Sequence, residues 1–349
     1  MAATTAAEPT LPDQITRLYD LIAGYHATHL IEIGRQLGVW EALAATPGIT
    51  AADLADRLGS DPFYTEILCK TAFAFELLER SGDGGDGWRM APHLDAILGS
   101  PDATFYLGRA ARVHMILGAD YEDYAARFRT GSAVTYQDHD AELIREIAAS
   151  LSSLPRIFCD AVLPRLPRLA ARLTDGSRIL DVGCGGGAAI VELARRFPAS
   201  RVVGVDVEPL SIELAREAIA SAGLADRCEA RLMGAEGLSE EAAFDVATAF
   251  LVVHEVAEEV KDEMFRAVAR ALAPGGWFVI FDEAYPETDE AMRTMPTRFA
   301  AVAQWFELTW GNRIDTRTRL LERCAAAGLR VVDETTFSRF LILVAEKPG

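Results

Sequence analysis

Ile179-Leu180-Asp181-Val182-Gly183-Cys184-Gly185-Gly186-Gly187 reads as an apolar strand that ends in a carboxylate and opens into glycines. Glycine lets the backbone turn tightly and lets a ligand approach it closely. Nineteen residues past Gly187, the next apolar run, Val202-Val203-Gly204-Val205, ends in a second acid, Asp206, followed by Val207. A strand, a glycine turn and an acid-tipped second strand form a cradle for a nucleoside, in which the second acid grips two ribose hydroxyls.

Outward from this cradle, strands are expected near 178-182, 201-206, 228-233, 244-250, 277-282, 329-336 and 339-346, with helices between them. That alternation gives an α/β fold, a mostly parallel sheet covered on both faces. The last two strands, parted by a turn near Ser338, should form an antiparallel hairpin at the sheet edge. Ligands in such folds bind outside the carboxyl ends of the strands.

The glycines alone do not name the ligand, because Gly183-x-Gly185-x-x-Ala188 also satisfies a dinucleotide fingerprint. Asp181 separates the readings. A pyrophosphate at the following helix N-terminus would be repelled by a carboxylate at the strand mouth. S-adenosylmethionine carries no phosphate; its ammonium and sulfonium suit a carboxylate and strand-end carbonyls. Further on, Leu272-Ala273-Pro274-Gly275-Gly276-Trp277 ends a helix in a Pro-Gly-Gly turn and leads into Phe278-Val279-Ile280-Phe281.

Glycine motif, second-strand acid and Pro-Gly-Gly turn, in this order, resemble the class I S-adenosylmethionine-dependent methyltransferases over the second half of the chain. The resemblance implies a Rossmann-like, seven-stranded sheet whose last strand is antiparallel. It places Gly234, Ala235 and Glu236 against adenine, with a slip of one residue open. Phe250 either packs under the methionine portion or serves as plain core. His254-Glu255 resembles the His-Asp pair of plant-type O-methyltransferases, in which the histidine is the general base; in other members it only shapes the pocket. Glu283 aligns with the acid that orients that base. Ile314 stands where the family has a second supporting acid, and adjacent Asp315 substitutes only after a one-residue slip. That departure leaves carbon and nitrogen acceptors open beside a hydroxyl. No metal is expected, since His254 is the last of six histidines and no second imidazole lies near it in sequence.

The 349 residues allow two domains and carry a formal charge of −18, which opposes binding to phosphate backbones and anionic membranes. Five scattered cysteines with no CxxC pair suit free thiols in a reducing cytoplasm. The N-terminus shows neither a basic segment nor an apolar core, and neither export nor membrane insertion is expected.

Residues 11-100 read as a separate module. Apolar residues from Ile15 to Trp40 recur at helical spacing, interrupted by Gly24 and Gly34. Thr50 caps a short helix stopped by Gly59, a longer helix is expected from Pro62 to Arg80, and Asp83-Gly84-Gly85-Asp86-Gly87 makes a hairpin turn. This order resembles the winged-helix dimerisation domain of small-molecule O-methyltransferases. DNA-binding regulators share the module, but six basic residues against thirteen acidic ones here would be pushed from a groove. Residues 101-173 are expected to be a helical region lining an acceptor pocket, with some of Phe105, Tyr106, Tyr121, Tyr124, Phe128, Tyr136 and Phe158 on its wall; the catalytic domain is expected over 174-349. A homodimeric methyltransferase of a small molecule is the leading expectation; a cofactor-sensing regulator and a dinucleotide oxidoreductase are its rivals.

Overall fold

The computed structural model describes residues 8–81, 85–174, 176–295 and 297–349, so part of the expected hairpin turn, Asp83 and Gly84, lies outside the described residues. The chain divides into two compact units, Met1–Ile116 and Leu117–Gly349. The region read as one helical segment, 101-173, is thus shared between them.

In the first unit a single helix runs Leu11–Leu37, its N-terminus closed by a capping box between Thr10 and Asp13. Gly24 and Gly34 do not break it. Gly34 is where the indole of Trp40 packs: a Cβ there would sit 2.4 Å from the ring. The chain turns instead at Gly38, in the left-handed region at φ 74°, into the helix Val39–Ala45. Thr50 caps Ala51–Leu58 by accepting from the Asp53 amide, and Gly59 ends that helix. The next helix, Pro62–Ala74, stops short of the expected Arg80. Residues 78 to 80 are needed elsewhere. Strand β2 (Leu78–Arg80) pairs antiparallel with β3 (Gly87–Met90), which also pairs with the short β1 (Ile49–Thr50). Trp40, Leu43, Leu54, Cys69 and Trp88 fill the core.

The second unit is built on a seven-stranded sheet in the order β6-β5-β4-β7-β8-β10-β9. Its strands are β4 (Arg178–Val182), β5 (Arg201–Asp206), β6 (Cys228–Leu232), β7 (Phe244–Phe250), β8 (Leu272–Glu283), β9 (Arg330–Phe337) and β10 (Phe340–Glu346). From β4 to β8 the pairing is parallel, whereas β10 runs antiparallel between β8 and β9. Strand β8 begins at Leu272 rather than near 277, because Leu272 pairs with Phe244 across a register shift that takes up the Pro-Gly-Gly turn.

Alternation along the strands sends successive side chains to opposite faces. Ile179, Val202, Val246, Val279 and Phe281 join one buried cluster with Phe158, Leu193 and Ile212. Leu180, Ala247, Phe278 and Ile280 join another with Phe265, Val268 and Leu320. With both faces covered, the chain's neighbours in the sheet reverse direction at β4 and β7, which opens a crevice at the strands' carboxyl ends. The stretch Ala141–Arg165 is apolar and long enough by composition to cross a membrane. It is broken into the helices Ala141–Leu151 and Leu154–Ile157 and two further short turns, and Leu154, Phe158 and Val162 pack into the first cluster.

Candidate active site

A cavity of about 520 Å³ lies at the carboxyl ends of β4, β5 and β7. All nine residues expected to hold a cofactor, Asp181, Gly183, Gly185, Asp206, Val207, Gly234, Ala235, Glu236 and Phe250, are on its wall. Tyr136 alone of the seven middle-region aromatics lines it; Trp310, which no motif marks, lines it too. Phe158 instead lies edge-on beneath Phe250 at 5.3 Å.

Asp181 is 1% exposed and stands beside Thr248, its register partner across β4 and β7. Thr248 Oγ1 donates to Asp181 Oδ1 at 2.8 Å, and Oδ2 is buried with no hydrogen-bond partner among the described residues. Burial, with a smaller push from Asp206, raises the Asp181 carboxyl to about 7 against the Thr248 bond. An orphaned carboxylate oxygen on a cavity wall is chemically suited to a cation. Asp206 accepts from the amides of Gly185 at 2.8 Å and Glu208 at 2.9 Å. A carboxylate has roughly four acceptor positions, so capacity remains for two hydroxyls.

Two glycines in the turn have distinct duties. At Gly183, φ is +63° and a Cβ would lie 2.5 Å from Val252, so the turn closes only without a side chain. Gly185 is also left-handed, at +48°, but a Cβ there would meet nothing within 4 Å, which leaves its backbone open to a ligand. These features fit a nucleoside carrying positive charge.

The expected base needs a correction in its partner. His254 Nδ1 donates to Asp282 Oδ1 at 2.5 Å, and Asp282 Oδ2 also accepts from the Val253 amide at 2.7 Å. Glu283, the expected orienting acid, is instead ion-paired with Arg339. Strand alternation is the reason: Asp282 shares the face of Phe278 and Ile280, toward the helix Glu258–Ala271 that follows His254, and Glu283 points the other way. Asp315 does not substitute for the missing second acid, because Arg323 holds it at 2.7 Å. Glu307, on the helix Thr297–Trp310, comes to His254 from a side no motif marks. Its Oε1 is 4.0 Å from His254 Nε2, and Glu255 Oε1 is 3.9 Å away.

Burial alone would depress His254, but Asp282 and then Glu307 and Glu255 outweigh it and raise the imidazole to about 9. Burial likewise pushes both Glu255 and Glu307 upward. The imidazole sits behind the cavity wall, 9% exposed, and Glu255 is the member of this group that lines the cavity.

A doubly covered, mostly parallel sheet with a glycine turn, two strand-end acids and an orphaned carboxylate at its switch point suits a nucleoside cofactor that carries positive charge. Residues 179–276 match the family model described as a methyltransferase domain. The 3-hydroxy-5-methyl-1-naphthoate 3-O-methyltransferase of Streptomyces sahachiroi is 27% identical over 83% of each chain. An O-methyltransferase family protein from Burkholderia thailandensis superposes with a TM-score of 0.69 at 18% identity, over 98% of this chain and 99% of that one. Human N-acetylserotonin methyltransferase in complex with its methyl donor gives 0.74 at 15% identity, over 99% of this chain and all of that one. The chain carries a methyltransferase domain, its enzyme class is that of an S-adenosylmethionine-dependent methyltransferase, and it has the two-unit fold of those O-methyltransferases.

Proposed function

We propose that this chain methylates a hydroxyl of a small aromatic natural product, that His254 receives the hydroxyl proton, and that the enzyme acts as a cytoplasmic homodimer. The observation that carries the acid–base reading is the buried His254, fixed through Nδ1 by Asp282 with Nε2 facing the carboxylate that reaches the cavity.

When bound, S-adenosylmethionine supplies a methyl carbon already activated by its sulfonium. The protein's share is then to hold the acceptor about 3 Å from that carbon and to take up a proton. Asp181 meets the donor's ammonium, and Asp206, with Val207 beside it, meets the ribose. Gly183 and Gly185 shape the turn, Gly234, Ala235 and Glu236 border the adenine, and Phe250 underlies the methionine portion. Asp282 keeps the His254 ring oriented and favours its charged form; with the imidazole raised to about 9 it is the neutral fraction that takes the proton, so transfer should quicken as pH rises toward 9.

The naphthoate relative supports an aromatic hydroxyl as acceptor. The long N-terminal helix supports a dimer: Leu11, Ile15, Leu18, Ile22 and Tyr25 recur at alternating steps of four and three along one stripe, each between 47% and 75% exposed. A stripe of that size on a single chain marks an interface, and a two-fold copy would cover it. Five buried free cysteines support a reducing compartment.

A labelled-methyl screen against hydroxyaromatic, amine and carbon-acid acceptors tests the reading. Label should enter an aryl ether, and His254→Ala should abolish the transfer and spare S-adenosylhomocysteine binding. Label found only in amines or carbon acids would replace the hydroxyl assignment.

A further inference from the structure

We propose that His254, Glu255 and Glu307 form a binding site for a first-row divalent cation of the zinc or manganese class, and that this cation inhibits methyl transfer. One nitrogen and two carboxylate oxygens from these residues lie within 4.8 Å of one another. They come from two distant parts of the chain, the turn after β7 and the helix Thr297–Trp310.

Two independent features separate this cluster from a chance gathering of acids. First, Asp282 accepts from Nδ1, which leaves Nε2 as the ring nitrogen turned toward both glutamates. A carboxylate behind the ligating imidazole is the usual support for metal-bound histidine, since it fixes the tautomer and makes the nitrogen more basic. Second, the Glu307 side chain is 2% exposed. Its Oε2 accepts from Asn312 Nδ2 at 2.9 Å, while Oε1 has only Nε2, 4.0 Å away, and no hydrogen-bond donor among the described residues. An acceptor oxygen that no donor among the described residues meets, on a side chain 2% exposed, is placed to take a cation.

The donor set narrows the metal. Imidazole with two carboxylates suits zinc or manganese better than calcium or magnesium, which prefer all-oxygen shells. Bonds of about 2.0–2.2 Å in tetrahedral geometry need donors about 3.4 Å apart, so the three atoms, which lie within 4.8 Å of one another, draw together on loading. Glu255, on the cavity wall, leaves the remaining position open to solvent. A cation on Nε2 occupies the place that the acceptor's proton takes, so metal loading and proton uptake exclude each other.

The test is a calorimetric titration of the full chain with zinc chloride, before and after saturation with S-adenosylhomocysteine, together with the visible spectrum of the cobalt-loaded protein. One site per chain is expected, with affinity lowered at least 100-fold in His254→Gln and Glu307→Gln and 10- to 100-fold in Asp282→Asn. His139→Gln, which removes the imidazole paired with Asp120, should leave it unchanged. Retained S-adenosylhomocysteine binding certifies that a variant is folded, and the partly exposed Glu255→Gln serves where a buried variant fails that check. Absence of stoichiometric zinc binding, or equal affinity in the wild type and these variants, overturns the site. Stoichiometric binding without loss of methyl transfer overturns the inhibition. Neither outcome bears on the cofactor site, which the S-adenosylhomocysteine titration reads separately.

Discussion

Asp181 and Thr248 face each other across β4 and β7, and the threonine hydroxyl satisfies only one oxygen of the carboxylate. The other oxygen is buried, unpaired and on the cavity wall. Folding therefore leaves this oxygen unmet among the described residues, and a cationic ligand is chemically suited to meet it.

This arrangement fixes a pH dependence. The Asp181 carboxyl, ordinarily near 3.8, is raised to about 7 in the folded chain. Between those values the folded state holds a proton the unfolded state has lost. Its stabilising effect is therefore complete below about pH 4 and fades as pH rises toward 7, by on the order of 4 kcal/mol. Binding runs the other way, since the donor's ammonium requires the ionised form. S-adenosylhomocysteine affinity should rise roughly tenfold from pH 6 to pH 8 and bind with proton release, both read by calorimetry in buffers of different ionisation enthalpy. In Asp181→Asn both trends should vanish.

Asp282 and Glu283 are neighbours in sequence with different partners, His254 and Arg339. Asp282→Asn should lower turnover by roughly 10²- to 10⁴-fold while sparing S-adenosylhomocysteine binding, because it disturbs the orientation and charge of His254. Glu283→Gln should instead lower the melting temperature, since it strands Arg339, which is stacked on Phe299 and Phe340. Its turnover per folded molecule should change little. Kinetics and thermal unfolding of the two variants check the division.

The two turn glycines should separate stability from binding. Gly183→Ala puts a Cβ against Val252 at a left-handed position, and should cost about 1–3 kcal/mol of stability as well as cofactor affinity. Gly185→Ala has room in the protein, so its loss should appear mainly in S-adenosylhomocysteine affinity, with about 1 kcal/mol of backbone strain. Equal loss of stability in both would contradict the assignment.

The apolar stripe of the first helix should govern assembly. Leu18→Asp combined with Ile22→Asp should shift the chain from dimer to monomer in sedimentation velocity, with helix content retained, because both side chains are more than half exposed in the single chain. A wild-type chain that sediments as a monomer would remove the dimer.

Much of this was legible in the sequence because the cofactor cradle is local. Strand, glycine turn and second-strand acid lie within 28 residues, from Ile179 to Asp206, and their geometry follows from backbone constraints. The acid–base cluster is not local. Glu307 reaches His254 from a helix 53 residues downstream with no motif around it, and only tertiary packing reveals it. Asp282 against Glu283 is a register problem: one residue on a strand selects the face, and alignment of a short acidic pair does not resolve which. The Pro62 helix ends at Ala74, before its expected bound, because Leu78–Arg80, helical by composition, is captured by pairing with β3. Gly34, which looks like a helix break, answers instead to the bulk of Trp40.

Whether Asp181 gives the cavity its preference for a positively charged methyl donor is read from a pair of calorimetric titrations on wild type and Asp181→Asn. With S-adenosylhomocysteine, wild type should bind at one site per chain, and the asparagine variant should lose about 10- to 100-fold in affinity, the worth of one charge-assisted hydrogen bond. With a pyrophosphate dinucleotide, wild type should not bind, and the variant should gain rather than lose. Equal S-adenosylhomocysteine affinity in the two proteins, or dinucleotide binding by the wild type, would contradict the account.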